Sequence, residues 1–219
     1  MIRDKNISET LLIGALLAVV GGFLDAYTYL CRGGVFANAQ TGNIVLVGVH
    51  LAQGDWGHCL YYLAPILAFA QGIFAAEAIK RFFCAHPKFH WRQVVIAFET
   101  LVLFSIAFIP KSGDMLANIL VSFVCALQVQ SFRKMHGSTY ATTMCTGNLR
   151  SATECLWVFW RTKEKAQLQN ALRYYSVIVF FVLGAVLGVL LARTLGLNAI
   201  LFVCIPLGTV FALLFSEKA

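Results

Sequence analysis

Apolar residues run along this chain in long blocks, and block length divides them into two kinds. A bilayer core about 30 Å thick takes roughly 20 apolar residues as helix, whereas a run of about 10 to 14 reads as re-entrant or interfacial. Six blocks have spanning character: Leu11 to Leu30, Leu60 to Ile79, Val94 to Ile109, Met115 to Phe132, Leu172 to Ala192 and Leu197 to Phe215. Two are shorter, Ile44 to Ala52 and Leu149 to Trp160, the second interrupted by Arg150 and Glu154. Each short block follows the same triplet, in "FANAQTGNIV" and "YATTMCTGNL". The pattern predicts an all-α polytopic membrane protein of about six transmembrane helices, built as one integral membrane domain over residues 1–219.

Composition agrees with the pattern. Hydrophobic residues make up 59% of the chain and charged residues 12%, against about 25% charged in a soluble domain. The formal charge of +7 raises the question of nucleic acid, but Lys and Arg fall in short loops between apolar blocks, where membrane topology places them. The expected partner is the lipid bilayer, with no nucleic acid. Seven cysteines include no CxxC pair, and most lie inside apolar blocks where Cys acts as a small hydrophobe, so no disulfide framework is expected. The first block is too long for a signal-peptide core and lacks a small-residue cleavage site, so it is expected to be retained as the first span.

Charge also tests the short blocks. If neither crosses and the N-terminus is cytoplasmic, 14 of the 17 Lys and Arg lie inside, leaving Arg32, Lys111 and Arg193 outside. If both cross, the basic residues split about evenly, against the positive-inside rule. A seven-span arrangement with the N-terminus outside gives 13 against 4, but treats two similar motifs differently and ranks second. The six-span reading puts both termini in the cytoplasm.

Thr41 and Thr146 are 105 residues apart, and the order of segments around them repeats. Each half reads span, Gly-containing turn, TGN, short apolar helix, polar loop, two spans, with "GGFLDAYTYL" facing "ALQVQSFRKM". The internal repeats cover approximately 8–110 and 115–216. Three spans per half make the repeats inverted, each with a broken or re-entrant half-helix at its TGN, an arrangement that marks a site near the midplane in many transporters. Gly42 and Gly147 are expected to permit the turn. Thr41, Asn43, Thr146 and Asn148 are expected to cap free N–H groups or face a solute, and the half-helix N-termini favour an anion or polarise a neutral solute. Mutual satisfaction in a buried turn is the competing reading.

Other intramembrane polar groups extend the candidate site. Asp25, in the first span, is read as a substrate or coupling group, against capping the motif loop or pairing with Arg32. Glu99, in "VVIAFETLVLF", is the second candidate for proton or ion coupling. Asn38, Gln40, Gln130 and Thr143 complete the substrate-binding set, with helix-to-helix hydrogen bonding as the competing role for several polar residues near the motifs. Glu77 is expected to pair with Lys80 or Arg81, and Arg150 with Glu154 at i, i+4 spacing. "CAHPKFH", Cys84 to His90, supplies three ligand types without a fourth, so no metal site is assigned. No Ser-His-Asp order, Walker loop or HExxH helix is present, so no catalytic residues are assigned, no cofactor is expected and the chain is not read as an enzyme.

"GGFLDAYTYL" followed by "GGVFANAQTGNIV", and later "ALQVQ", a glycine and "TTMCTGNL", resemble the YoaK-like family of bacterial inner-membrane proteins, a domain of unknown function. The resemblance covers essentially the whole chain, and Gly21 to Asn43 is its most specific part. It implies a multi-pass protein of the bacterial inner (cytoplasmic) membrane with six spans, and brings no substrate with it. The leading expectation is a small permease or channel for a polar small molecule or ion, its site where the two TGN turns meet, coupled to protons if it is coupled at all. The alternative is a membrane-embedded binding or regulatory subunit without transport, whose basic loops contact a partner or anionic lipid. Small-residue stretches such as "GAVLGVLLA" allow close helix packing within a protomer or in a homo-oligomer.

Overall fold

The computed structural model describes residues 7–83 and 90–215, so "CAHPKFH" lies outside them apart from His90. A 3-10 turn at Ile7–Glu9 precedes α1 (Leu11–Cys31), α2 (Gln40–Ala52), α3 (Trp56–Phe83), α4 (Trp91–Ile106) and α5 (Asp114–Ser131). A small antiparallel hairpin, β1 (Lys134–Met135) with β2 (Ser138–Thr139), leads to α6 (Cys145–Thr162), α7 (Lys165–Leu195), a 3-10 stretch at Gly196–Val203 and α8 (Cys204–Leu214). Among the described residues, four segments are long and apolar enough to cross a membrane: Leu11–Cys31, Trp56–Phe83, Lys111–Ser131 and the continuous run Lys165–Leu214. The block expected from Val94 is α4, whose 16 residues make about 24 Å of helix. The last two expected spans form one 50-residue run, bent at Gly196, where φ is +56°.

Polar contacts sort the helix termini into two ends. At one, the buried Arg32 guanidinium donates to the carbonyls of Ile106 (3.0 Å) and Ile109 (3.0 Å) and to Asp114 Oδ1 (3.0 Å). Tyr61 Oη donates to Arg32 O at 3.1 Å, and Tyr27 Oη to Leu197 O at 3.0 Å. The C-terminal ends of α1, α4 and α7 therefore meet the N-terminal ends of α3 and α5. At the other end, Arg92 donates to Ser8 Oγ (2.7 Å) and Ser131 O (2.9 Å), while His136 N donates to Glu9 O (2.8 Å) and Tyr174 Oη to Thr139 O (2.8 Å). The sequence placed Arg32 in an outer loop. The fold instead buries it completely as a tie between α1 and the α4–α5 turn, its charge answered by Asp114 and its other N–H groups by the carbonyls and, from Nε at 3.1 Å, by the Tyr27 hydroxyl, as a buried guanidinium requires.

Helix packing comes in matched pairs. α1 packs along α7, and α5 along α3; α2 packs on α3, and α6 on α7; α4 meets α8. Exchanging α1–α4 for α5–α8 maps each contact onto its counterpart. The close approaches repeat too: a Cβ on Gly188 would lie 2.8 Å from Phe23 O, and one on Gly72 would collide with Phe123 O. Phe23 and Phe123 are 100 residues apart, as are the helix-ending bonds Arg32 N to Thr28 O (2.9 Å) and Phe132 N to Gln128 O (3.0 Å). The TGN triplets are 105 apart, so the second linker is five residues longer and carries the hairpin. "GGFLDAYTYL" thus corresponds to "VSFVCALQVQ", not to "ALQVQSFRKM". The "GAVLGVLLA" stretch packs within the chain, with Gly184 against Val19 and Gly188 against Phe23.

Candidate functional site

Both TGN triplets lie in the first turn of a helix that begins inside the bundle. Residues 33–39 fold back from the end of α1 until Asn38 N donates to Asp25 Oδ1 at 2.8 Å. Asp25 precedes the C-terminus of α1 by six residues, about 9 Å along the axis. From there α2 runs back and joins α3 through residues 53–55, at the end where Tyr61 meets Arg32. α6 mirrors this course. The Thr143 methyl lies where a Cβ on Gly21 would sit, Thr153 Oγ1 and Tyr175 Oη are 3.2 Å apart, and α6 joins α7 at the opposite end.

The two turns are held by the same bond. Asn43 Nδ2 donates to Phe36 O at 2.7 Å, and Asn148 Nδ2 donates to Ala141 O at 2.6 Å, each seven residues back. Both side chains are buried, and the preceding residues Ala39 (φ −81°, ψ 66°) and Met144 (φ −95°, ψ 75°) share one backbone conformation without a side-chain cap. Asn43 and Asn148 are thus ties beneath the turns. Gly42 and Gly147, expected to permit the turn, lie in the helices, and the positive φ angles fall upstream at Gly33 (+80°), Gly34 (+78°), His136 (+49°) and Gly137 (+83°). Phe36 passes over Gly42, where a Cβ would make a tight contact 3.3 Å from Phe36 Cδ2.

The two helix starts share one cavity of about 780 Å³. From the first turn it is lined by Asn38, Gln40 and Thr41, from the second by Thr143, Thr146 and Gly147, and from α1 by Asp25. Of these, Asn38 Oδ1 and Thr143 Oγ1 are buried without a hydrogen-bond partner. Gln40 is partly engaged, donating to Ala37 O at 2.7 Å and to Ser122 Oγ at 3.3 Å. The rest of the wall is largely apolar, with Tyr29 and Phe36 stacked at 4.9 Å, and Phe69 and Phe181 beside them. Arg193, from the last turn of α7, adds a cation. Sequence reasoning missed Arg193, although it was one of three basic residues on the sparsely charged side.

Other expected members lie elsewhere. Gln130 is on the far end of α5, where its amide donates to Glu77 Oε1, so Glu77 meets an amide where Lys80 or Arg81 was expected. Arg150 and Glu154 form no ion pair and line a shallow cleft with Trp157. Gln128 bridges α1 and the second turn, donating to Leu17 O (3.3 Å) and Thr142 Oγ1 (3.1 Å). Glu99 is fully buried on α4, outside the cavity, and neither carboxylate oxygen has a hydrogen-bond partner. Asp25 caps the first turn and leaves Arg32 to Asp114, so the capping role and the cavity-lining role coexist in one side chain.

The family model of DUF1275, a protein of unknown function, matches residues 13–213 and so takes in both turns and every helix around the cavity. The chain belongs to the DUF1275 family. It is 25% identical over 216 residues to the UPF0700 transmembrane protein YoaK of Bacillus subtilis (strain 168), covering 93% of this chain and 92% of that protein. No solved structure matches the chain. This member of the family is accordingly a multi-pass membrane protein, homologous to a bacterial transmembrane protein.

Proposed function

We propose that the chain is a small permease or channel of the bacterial inner membrane, for a polar small molecule or ion that binds where the two TGN turns meet. The observation that carries this reading is the single cavity lined by both helix starts and Asp25. Exposed helix N-termini offer N–H groups and a positive field, Asp25 offers an acceptor, and the aromatic wall accommodates an apolar part of the solute. Irregular backbone at this depth is tolerable when it lines a wet cavity or is buried in protein.

In this reading α1, α3, α4, α5, α7 and the last segment cross six times, and α2 and α6 are re-entrant from opposite faces. The halves are then inverted repeats, supported by the exchange symmetry of helix packing. Arg32, Lys111 and Arg193 share one end of the bundle, supporting its assignment as the outer face under the positive-inside rule. Asp25 and Glu99 are the coupling candidates. A carboxylate buried without a partner is costly as an anion, so Glu99 is suited to exchange a proton or hold a cation during a cycle. The chemistry is transport rather than catalysis.

The test is proteoliposome uptake with a panel of amino acids, organic acids, inorganic ions and a pH-sensitive dye, comparing the wild type with Asp25→Asn. Uptake above empty liposomes that falls with Asp25→Asn supports the reading. Background flux for the whole panel from folded, reconstituted protein, with Thr41→Cys unreactive to a water-soluble maleimide, would sink it. A second reading, a regulatory subunit, is favoured by a separate charged cleft at the Arg92 end, lined by Lys80, Arg92, Arg133 and Lys134. It predicts that charge reversal there removes partner binding while Asp25→Asn leaves function intact.

A further inference from the structure

The turn between α2 and α3 gathers three metal-ligating side chains that take no part in the cavity. His50 lies in the last turn of α2, Asp55 in the connecting turn and His58 in the first turn of α3, and one ligand atom from each falls within 4.8 Å of the others. Asp55 divides its oxygens. Oδ1 accepts from His58 N at 3.1 Å and so caps α3, while Oδ2 faces both imidazoles, 2.7 Å from His58 Nδ1 and 3.5 Å from His50 Nδ1. The His50 ring is held by stacking between His58 (5.0 Å, 18°) and Tyr62 (5.5 Å, 17°). Its Nδ1 is buried, points at the carboxylate and has no hydrogen-bond partner.

A metal-free hydrogen-bonding role explains His58 but not His50, whose buried nitrogen sits too far from Oδ2 for a good bond. An ion between the three atoms resolves this. Zinc takes imidazole nitrogen and carboxylate oxygen at about 2.0–2.2 Å, so tetrahedral ligands lie roughly 3.3 Å apart. The observed separations need only small side-chain rotations to reach that array, and the ring stack already fixes His50. A cleft lined by Gly33, Gly57 and Tyr61 adjoins Asp55 and His58 and gives water access to the remaining coordination position.

We propose that His50, Asp55 and His58 form a binding site for a divalent transition ion of the zinc type, with two imidazoles, one carboxylate and an open position. The ion links the C-terminal turn of the re-entrant α2 to the start of α3. Because Tyr61 bonds Arg32 O, and Asn118 Nδ2 donates to the same carbonyl at 2.7 Å, the link also fastens α2 to the tie that closes this end of the bundle. The sequence signal was present in "VHLAQGDWGH", three ligands of two types within nine residues.

The experiment is calorimetric zinc titration of the full chain, purified in detergent without a polyhistidine tag, alongside His58→Ala and the double variant His50→Ala/His58→Ala. His58 is largely exposed, so its replacement leaves folding intact. The expected result is one zinc per chain with a raised melting temperature, and loss of both effects in the two variants. Cobalt should give visible bands without a thiolate-to-metal charge-transfer band. Absence of zinc binding in the wild type, unchanged binding in the double variant, or a thiolate band placing the metal on cysteines would each overturn the proposal.

Discussion

The first and second TGN turns are built on one scaffold and finished differently. Each places a buried Asn in the first helical turn and ties it to a carbonyl seven residues back. Each starts a helix inside the bundle and returns it to the end it came from. The first turn, however, is reached by a short linker and is capped by Asp25. The second is reached through a hairpin, has Cys125 at the position of Asp25 and Thr143 at that of Asn38, and leaves the Thr143 hydroxyl without a partner. The duplicated part is the architecture that opens a helix end inside the bundle, and the unduplicated part is the charge presented there. That asymmetry gives the cavity a carboxylate on the side of the first turn and a hydroxyl on the side of the second.

The comparison can be broken hardest at the helix crossings that bring the turns together. A Cβ at Gly188 would lie 2.8 Å from Phe23 O, and one at Gly72 would run into Phe123 O. Gly188→Leu and Gly72→Leu should each destabilise by about 3 kcal/mol or more, read as a loss of folded, monodisperse protein on heating. Equal effects would support equivalent crossings in the two halves, whereas tolerance of either would remove that equivalence.

Next come the ties. Asn43→Ala and Asn148→Ala remove the bonds to the part-buried carbonyls of Phe36 and Ala141, so each should cost about 1–3 kcal/mol in thermal unfolding. A cost at one position alone would mean that the shared triplet is not a shared device.

Smaller still, in stability, is Asp25→Asn, because an amide oxygen can still accept from Asn38 N–H. Under the transport reading this variant stays folded within about 1 kcal/mol and loses flux, which separates the chemical role of Asp25 from its capping role. Flux equal to wild type would leave it the capping role alone.

The least effect belongs to Thr143→Val. Removing a buried hydroxyl that has no partner should leave stability unchanged or raise it by up to about 1 kcal/mol. A loss of stability would reveal a bond that makes the second turn more like the first.

The apolar blocks, the paired triplets, Asp25 and the skew of basic residues were legible in the sequence, because each depends on local length, spacing or composition. What was not legible depends on partners far along the chain. Nothing near Arg32 announces that Asp114 and the carbonyls of Ile106 and Ile109 will bury it. Gly42 and Gly147 looked like turn formers because they sit in the motif, yet the turn is made upstream by Gly33 and Gly34, and Gly42 lies beneath Phe36. The correspondence of Gly21–Leu30 with Val121–Gln130 was hidden by the five-residue insertion, since triplet spacing alone points to the wrong partners. Asn43 and Asn148 carried the right signal with the wrong role: their polarity is spent holding the turn, while Thr41 and Thr146 beside them reach the cavity.

The central claim is that two helices enter the bundle from opposite ends and meet. It is tested most directly by sided labelling in intact cells, in a chain whose seven cysteines are replaced and which carries one new cysteine, at Gln53 after α2 or at Glu164 after α6. Both positions are exposed. Gln53→Cys should react with an impermeant maleimide added outside, and Glu164→Cys should react only after the membrane is opened. Reaction of both from the same side would contradict the account.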